Sequence, residues 1–234
     1  MMKFYYHPSP NPLKVALFLE ETETQYEAIP IDTFRGEQHS TEFREISPNG
    51  KVPVIVLPGD GNNPPARVFD STAILLFLAE KSSSFLGSGD DRAELLSWLC
   101  FVSSGLGPFS GQAVHFQFTA PAGNDYGVNR YRREAERHYE VLDQRLAEQR
   151  FLTGEQYTIA DMSAWGWIAQ ASRVLKDTDY KTRFTHIARW FSEVDARPAA
   201  GRARSLGKDV PFKTVNDEET QRSLFPSNYP GQER

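Results

Sequence analysis

A single cysteine, Cys100, stands in 234 residues. No disulfide can form within the chain, and a reducing, cytoplasmic setting is the simplest expectation. Basic charge is also short: Lys plus Arg number 26 against 31 Asp plus Glu, a formal charge of −5. Phosphate binding needs a basic face, so nucleic acid is not the expected partner. No apolar run nears the ~18 residues of a membrane-spanning helix. The opening stretch, Met1-Met2-Lys3-Phe4-Tyr5-Tyr6-His7-Pro8, has no signal-peptide core, so no membrane partner is expected. The five histidines show no metal-ligand spacing with the cysteine or with one another, and no metal is expected. No internal repeat is visible. What is present is 39% hydrophobic residues with 12% aromatics, enough for a core in one large domain or two modest ones.

The organising stretch is Ser47-Pro48-Asn49-Gly50-Lys51-Val52-Pro53-Val54-Ile55, followed by Val68-Phe69-Asp70-Ser71. The apolar run Val54-Ile55-Val56-Leu57 reads as a buried strand with a proline at its mouth. A cis Val52–Pro53 bond is expected, and it would turn the Val52 N–H and C=O outward, where an extended peptide can pair with them. Asp70-Ser71 then opens a helical segment over 71–81, whose first N–H groups are open to an anion. A backbone clamp beside an anion hole and a carboxylate suits a small zwitterionic peptide.

Upstream, Phe4-Tyr5-Tyr6 is a short strand. Asn11 followed by Pro12 predicts a helix start, with Asn as the cap and proline in the first turn; the helix should end near Thr22. Tyr26-Glu27-Ala28-Ile29-Pro30-Ile31 reads as a second strand, placed at a sheet edge by Pro30. These make one βαβ unit. A helical turn or two over 41–46, a hairpin from Val54 through Phe69 with a turn-rich loop, and the helix over 71–81 complete a thioredoxin-like arrangement over residues 1–81. A Ser/Gly-rich linker covers 82–90. From 91 to 206 no strong strand signal returns, so an all-α domain is expected. Its helical pattern over 91–118 should kink at Gly105-Leu106-Gly107-Pro108. A charged helix is expected over 128–149. Thr158 and Asp161 form a capping box for an apolar helix over 159–175 that carries Trp165 and Trp167. Helices over 184–195 and from 198 follow. The tail, 207–234, either drapes over the body or is disordered.

The motifs Ser9-Pro10-Asn11, Lys51-Val52-Pro53, Asp70-Ser71 and Thr158-Ile159-Ala160-Asp161 together resemble the soluble glutathione transferases, across roughly residues 3–205. A narrower likeness rests on Lys14-Val15, Ile46-Ser47-Pro48-Asn49, Gly105-Leu106-Gly107-Pro108 with Gly111-Gln112, and Arg130-Tyr131. These look like the Nu-class glutathione-dependent disulfide-bond reductases and the related fungal nitrogen-regulator-type proteins. The resemblance implies that glutathione is the co-substrate. Val52, with Pro53 behind it, would hold the cysteinyl backbone. Asp70 and Ser71 would hold the γ-glutamyl end, and Gln38 and Lys51 would approach the glycyl carboxylate. Ser9 and Asn11 would face the sulfur as the catalytic groups. Arg130 matches a glutathione-contacting arginine, in this subunit or across a dimer interface. The resemblance also implies a homodimer. Ser9 and Asp70 stand where the reductases commonly carry Thr and Glu, which keeps the hydroxyl and the charge and bears on affinity.

A free thiol titrates near pH ~8.5, and lowering that by about two units takes roughly 3 kcal/mol of preferential thiolate stabilisation. The Ser9 hydroxyl, the Asn11 amide and the tip of the first helix are the available sources. No cysteine lies in the loop over 8–13, so disulfide chemistry must run between glutathione thiols and the substrate. The expected activity is disulfide reduction, conjugation to small electrophiles, or both; the alternative is a non-catalytic glutathione-binding regulator or ligand carrier. Each residue also has a plain structural role open to it. Ser9 can satisfy the turn, Asn11 and Asp70 can cap helices, and Gln38 and Arg130 can sit in solvent. Cys100 reads as a packed core thiol. Trp98, Phe101, Phe109, His115 and Phe116 read as core, with an apolar substrate pocket as the alternative.

Overall fold

The computed structural model of the protein describes residues 1–59 and 64–229. Its first half is the thioredoxin-like unit. β1 (Met2–Tyr6), α1 (Pro10–Glu21) and β2 (Tyr26–Pro30) form the βαβ unit, with β2 parallel to β1. α2 (Thr41–Ile46), β3 (Val54–Leu57), β4 (Ala66–Phe69) and α3 (Ser71–Ser82) follow. The strand order is β2-β1-β3-β4, with β3 antiparallel to both neighbours. β2 is an edge strand, where Pro30 removes no ladder bond. Alternation along β1 sends Phe4 and Tyr6 into the main core with Val15, Leu19 and Ile55, and Tyr5 to a smaller cluster with Phe43 and Val54. Of the loop between β3 and β4, residues 60–63 lie outside the described residues.

The second half is helical: α4 (Arg92–Phe101), α5 (Gly107–Phe118), α6 (Asp125–Glu148), α7 (Ile159–Ile168), α8 (Ala171–Leu175), α9 (Tyr180–Arg183), α10 (Thr185–Asp195) and α11 (Pro198–Ser205). The expected kink is one turn of π-helix, Val102–Leu106. Pro108 has no N–H to give, and the Gly107 N–H reaches back five residues to Val102 O. The capping box forms as expected. Asp161 is fully buried, and accepts from Thr158 N at 2.9 Å, Leu152 N at 3.0 Å and Trp190 Nε1 at 2.8 Å. It ties α7 to α10, a folding role.

Three expectations change, and of the two fates open to the tail one is met. The helix over 159–175 is two helices: at Gln170 the N–H bonds Trp167 O, three residues back, and the tightened turn ends α7. Cys100 is exposed, not packed; α4 buries Leu95 and Leu99, and the next residue is carried a hundred degrees away from that face. α6 begins three residues earlier than expected, at Asp125. The tail drapes. Phe212 packs on Tyr6 and His7, α12 (Glu218–Leu224) lies against the loop after β2, and Phe225 meets His115 of α5 at 4.5 Å between ring centres. The chain after Ser205 therefore bridges both halves.

Candidate active site

Between the halves lies a cleft of two adjoining chambers, about 390 Å³ and about 330 Å³. Asn11 and Trp167 border both. The larger chamber also meets His7, Ser9, Gln38, Lys51 and Val52. The smaller meets Lys14, Asp70, Ser71, Ser103 and Gln112. Of the nine residues singled out in the sequence, seven border this cleft.

Asn11 is not the cap of α1. The helix begins at Pro10, with Ser9 as its first flanking residue and no side-chain cap. Pro10 suits the first helical position, and Pro12 is tolerated because the first-turn N–H groups have no partner inside a helix. Freed from capping, the Asn11 amide accepts from Trp167 Nε1 at 3.1 Å. Indole nitrogen only donates, so Oδ1 is fixed toward Trp167. Nδ2, a donor with no partner among the described residues, is left to the cleft. Two glycines permit the contact. A Cβ on Gly166 would collide with Pro10 O and sit 3.0 Å from Lys14 Cγ, and one on Gly107 would sit 2.9 Å from Trp167 Nε1. The Ser9 hydroxyl reaches only its neighbour His7 O, at 3.5 Å, so it is free to turn toward a ligand.

The Val52–Pro53 bond is cis. Pro53 is buried behind the strand, and the Val52 N–H and C=O have no partner among the described residues. Lys51 is exposed at the chamber rim. Gln38 is buried. Its Nε2 donates to Ser223 O of the tail at 3.2 Å, and Oε1 is sealed without a partner. Exchanging the two ends would set Oε1 against the Ser223 carbonyl, so the network fixes this orientation. One Gln38 donor is thus held by the tail.

Asp70 stands at φ 73 and caps its own helix: Oδ1 accepts from Thr72 N at 2.9 Å and Ala73 N at 3.3 Å. The expected anion site at this helix start therefore shrinks to the Ser71 N–H and hydroxyl, with Asp70 as a fixed negative charge. Arg130 borders neither chamber. It is exposed on α6 and pairs with Glu134 at 3.1 Å. Phe109 and Phe116 pack on Tyr131, Trp98 packs on Phe101, and His115 meets the tail; none of these borders either chamber.

Three cleft residues escaped the sequence reading. Trp167 stands out in the sequence only as part of the apolar helix that also carries Trp165, but residues two apart on a helix face opposite ways, a signal that one had to look elsewhere. His7 stacks on Phe34 and meets Phe212 edge to face, with Nε2 buried and unpartnered; burial pushes its pKa down against the pull of Asp32. Lys14 is 2% exposed, and burial pushes its ammonium down to about 7, opposed by the Asp70 charge.

Family models for the glutathione S-transferase N-terminal domain and C-terminal domain match residues 8–81 and 125–193. The disulfide-bond oxidoreductase YfcG of Escherichia coli is 41% identical over 206 residues, 87% of this chain and 94% of that protein. The disulfide-bond oxidoreductase YghU of the same organism is 39% identical, over 97% of this chain and 82% of its own length. The crystal structure of a glutathione transferase from Pseudomonas putida, with one glutathione disulfide bound per subunit, aligns with TM-score 0.82 at 32% identity, over 88% of this chain and 91% of that one.

Proposed function

Because the chain belongs to the glutathione S-transferase family, we propose that its cleft binds glutathione and presents the thiolate to disulfides or small electrophiles. The γ-glutamyl end occupies the chamber of Asp70 and Ser71. The cysteinyl backbone pairs with the Val52 N–H and C=O, and the glycyl end points to Lys51 and Gln38. The sulfur then lies at the tip of α1, between Ser9 and Asn11. The observation that carries this reading is the Trp167–Asn11 hydrogen bond, because it leaves an amide donor aimed at the one place where a thiolate needs one.

The donors act on charge. Nδ2 of Asn11, the Ser9 hydroxyl and the positive end of the α1 dipole stabilise a thiolate over a thiol. The rate gain comes from the larger share of the nucleophile that is ionised at neutral pH. In disulfide reduction the thiolate attacks one sulfur, forms a glutathione mixed disulfide, and expels the other sulfur as a thiolate, which takes up a proton. A second glutathione thiolate attacks the mixed disulfide, gives glutathione disulfide, and releases the second substrate thiol. Cys100 is exposed on α4 and borders neither chamber, so no step needs a protein thiol. The same thiolate attacks a small electrophile to form a thioether; with a chlorodinitrobenzene-type acceptor the C–S bond replaces the C–Cl bond and chloride leaves. Arg130, off the cleft in one subunit, is proposed to reach glutathione only across a homodimer interface.

The test is an assay with glutathione and either 2-hydroxyethyl disulfide or a chlorodinitrobenzene-type acceptor. The reading expects turnover well above buffer, and a bound thiol whose ultraviolet thiolate signal appears at lower pH than that of free glutathione. Rates equal to buffer with both acceptors reject the enzyme; binding without turnover supports a non-catalytic carrier instead.

A further inference from the structure

Lys14 is a cation whose burial the fold alone does not explain. It lies on α1 one turn after Asn11, on the same face, and borders the smaller chamber. Among the described residues its ammonium makes no ion pair and no hydrogen bond. The two acidic residues at the other end of α1 are taken: Glu20 pairs with Arg202 at 2.7 Å, and Glu21 pairs with Arg197. From α7 the facing groups are Gly166 and Trp167, and from the π turn and α5 they are the neutral Ser103 and Gln112. From α3 comes the Asp70 capping carboxylate, too far for a salt bridge yet the one charge that opposes the fall of the Lys14 pKa. A buried ammonium is costly without a counter-charge. Here the missing counter-charge faces open volume.

The chamber therefore carries one basic and one acidic side chain that do not pair with each other. A ligand head with an ammonium and a carboxylate on the same carbon complements both. We propose that Lys14 is a specificity-determining residue that reads the α-carboxylate of the γ-glutamyl head, while Asp70 reads its α-ammonium. This rests on the reading that the cleft binds glutathione, and assigns the selectivity for an intact α-amino-acid head to a residue outside the expected set.

The experiment is calorimetric titration of wild type, Lys14→Met and Lys14→Arg with three ligands. These are glutathione, γ-aminobutyryl-cysteinyl-glycine, which lacks only the α-carboxylate, and glutaryl-cysteinyl-glycine, which lacks only the α-amine. Methionine fits an apolar burial site, and thermal melting checks that both variants fold. Lys14→Met should weaken glutathione and the glutaryl ligand by about ten- to a hundredfold, the range of a hydrogen bond to a charged group. It should leave the γ-aminobutyryl ligand unchanged, and Lys14→Arg should restore part of the loss. Equal losses on all three ligands, or no loss on any while wild type binds glutathione, overturn the assignment of Lys14. A wild type that binds none of the three overturns instead the reading of the cleft.

Discussion

The two chambers meet at Asn11 and Trp167 but are walled in different ways. The smaller takes its charged and capping residues from α1 and α3, within 60 residues of chain. The larger borrows part of its wall from the far end of the sequence. Leu224 borders it, and Ser223 O takes a donor from Gln38, 185 residues away. The first sets a buried lysine and a capping carboxylate on two neighbouring helices. The second is an unpaired backbone edge beside an amide that shares its hydrogen bonds with a tail. Recognition of the γ-glutamyl head should therefore be set by charge, and recognition of the glycyl end by a contest between tail and ligand.

The largest expected effect strikes the charged chamber. Asp70→Ala removes the anion and the cap of α3 together. Glutathione affinity should fall about a hundredfold, and stability by about 1 kcal/mol, the usual worth of a cap. Calorimetry and denaturant melts read the two separately; an affinity loss no larger than the stability loss explains would dissolve the contrast between the chambers. At the shared wall, Asn11→Ala should raise the pKa of the bound thiol by about one to two units and slow turnover by about ten- to a hundredfold. Affinity for S-methylglutathione, which has no thiol to ionise, should hardly move. Trp167→Phe should give a smaller shift in the same direction, since the amide survives but loses the bond that orients it.

A pH experiment isolates the buried lysine. The folded-state pKa of Lys14 is pushed from its ordinary 10.5 to about 7 by burial. Between those values the unfolded chain binds a proton that the folded chain does not, so stability rises with pH across that window. Below pH ~7 both states are protonated and the full cost of the buried charge is present. Lys14→Met should be more stable than wild type at neutral pH and lack that part of the rise toward pH ~9, read by thermal melts at several pH values. Parallel curves for the two proteins would show a lysine that is not desolvated. The smallest effect belongs to the tail. Deleting residues 217–234 frees the second Gln38 donor, and should raise glutathione affinity a few-fold relative to γ-glutamylcysteine, which has no glycyl carboxylate. An unchanged ratio would remove the tail from the account of the larger chamber.

The same division governs what could be read in advance. Strands, the capping box and the break at Pro108 follow from local signals: an apolar run, Thr158 three residues before Asp161, a proline inside a helical pattern. The cleft's acidic cap and its backbone edge were legible for the same reason. Asn11 was misplaced because Pro10 and Pro12 both fit a first helical turn, and only packing against Trp167 decides between them. Trp167, His7 and the tail depend on contacts across more than 150 residues; the local pattern says only that Trp165 and Trp167 face opposite ways, not which of them meets the cleft. Lys14 belongs to a motif visible in the sequence, but its burial follows from the approach of α7 at Gly166.

The most direct measurement is a crystal structure with glutathione bound. The account predicts the γ-glutamyl head beside Asp70, Ser71 and Lys14, the cysteinyl amide on the Val52 backbone, and the sulfur within hydrogen-bonding distance of Asn11 Nδ2. A tripeptide that runs the other way, or a sulfur remote from the tip of α1, would contradict it.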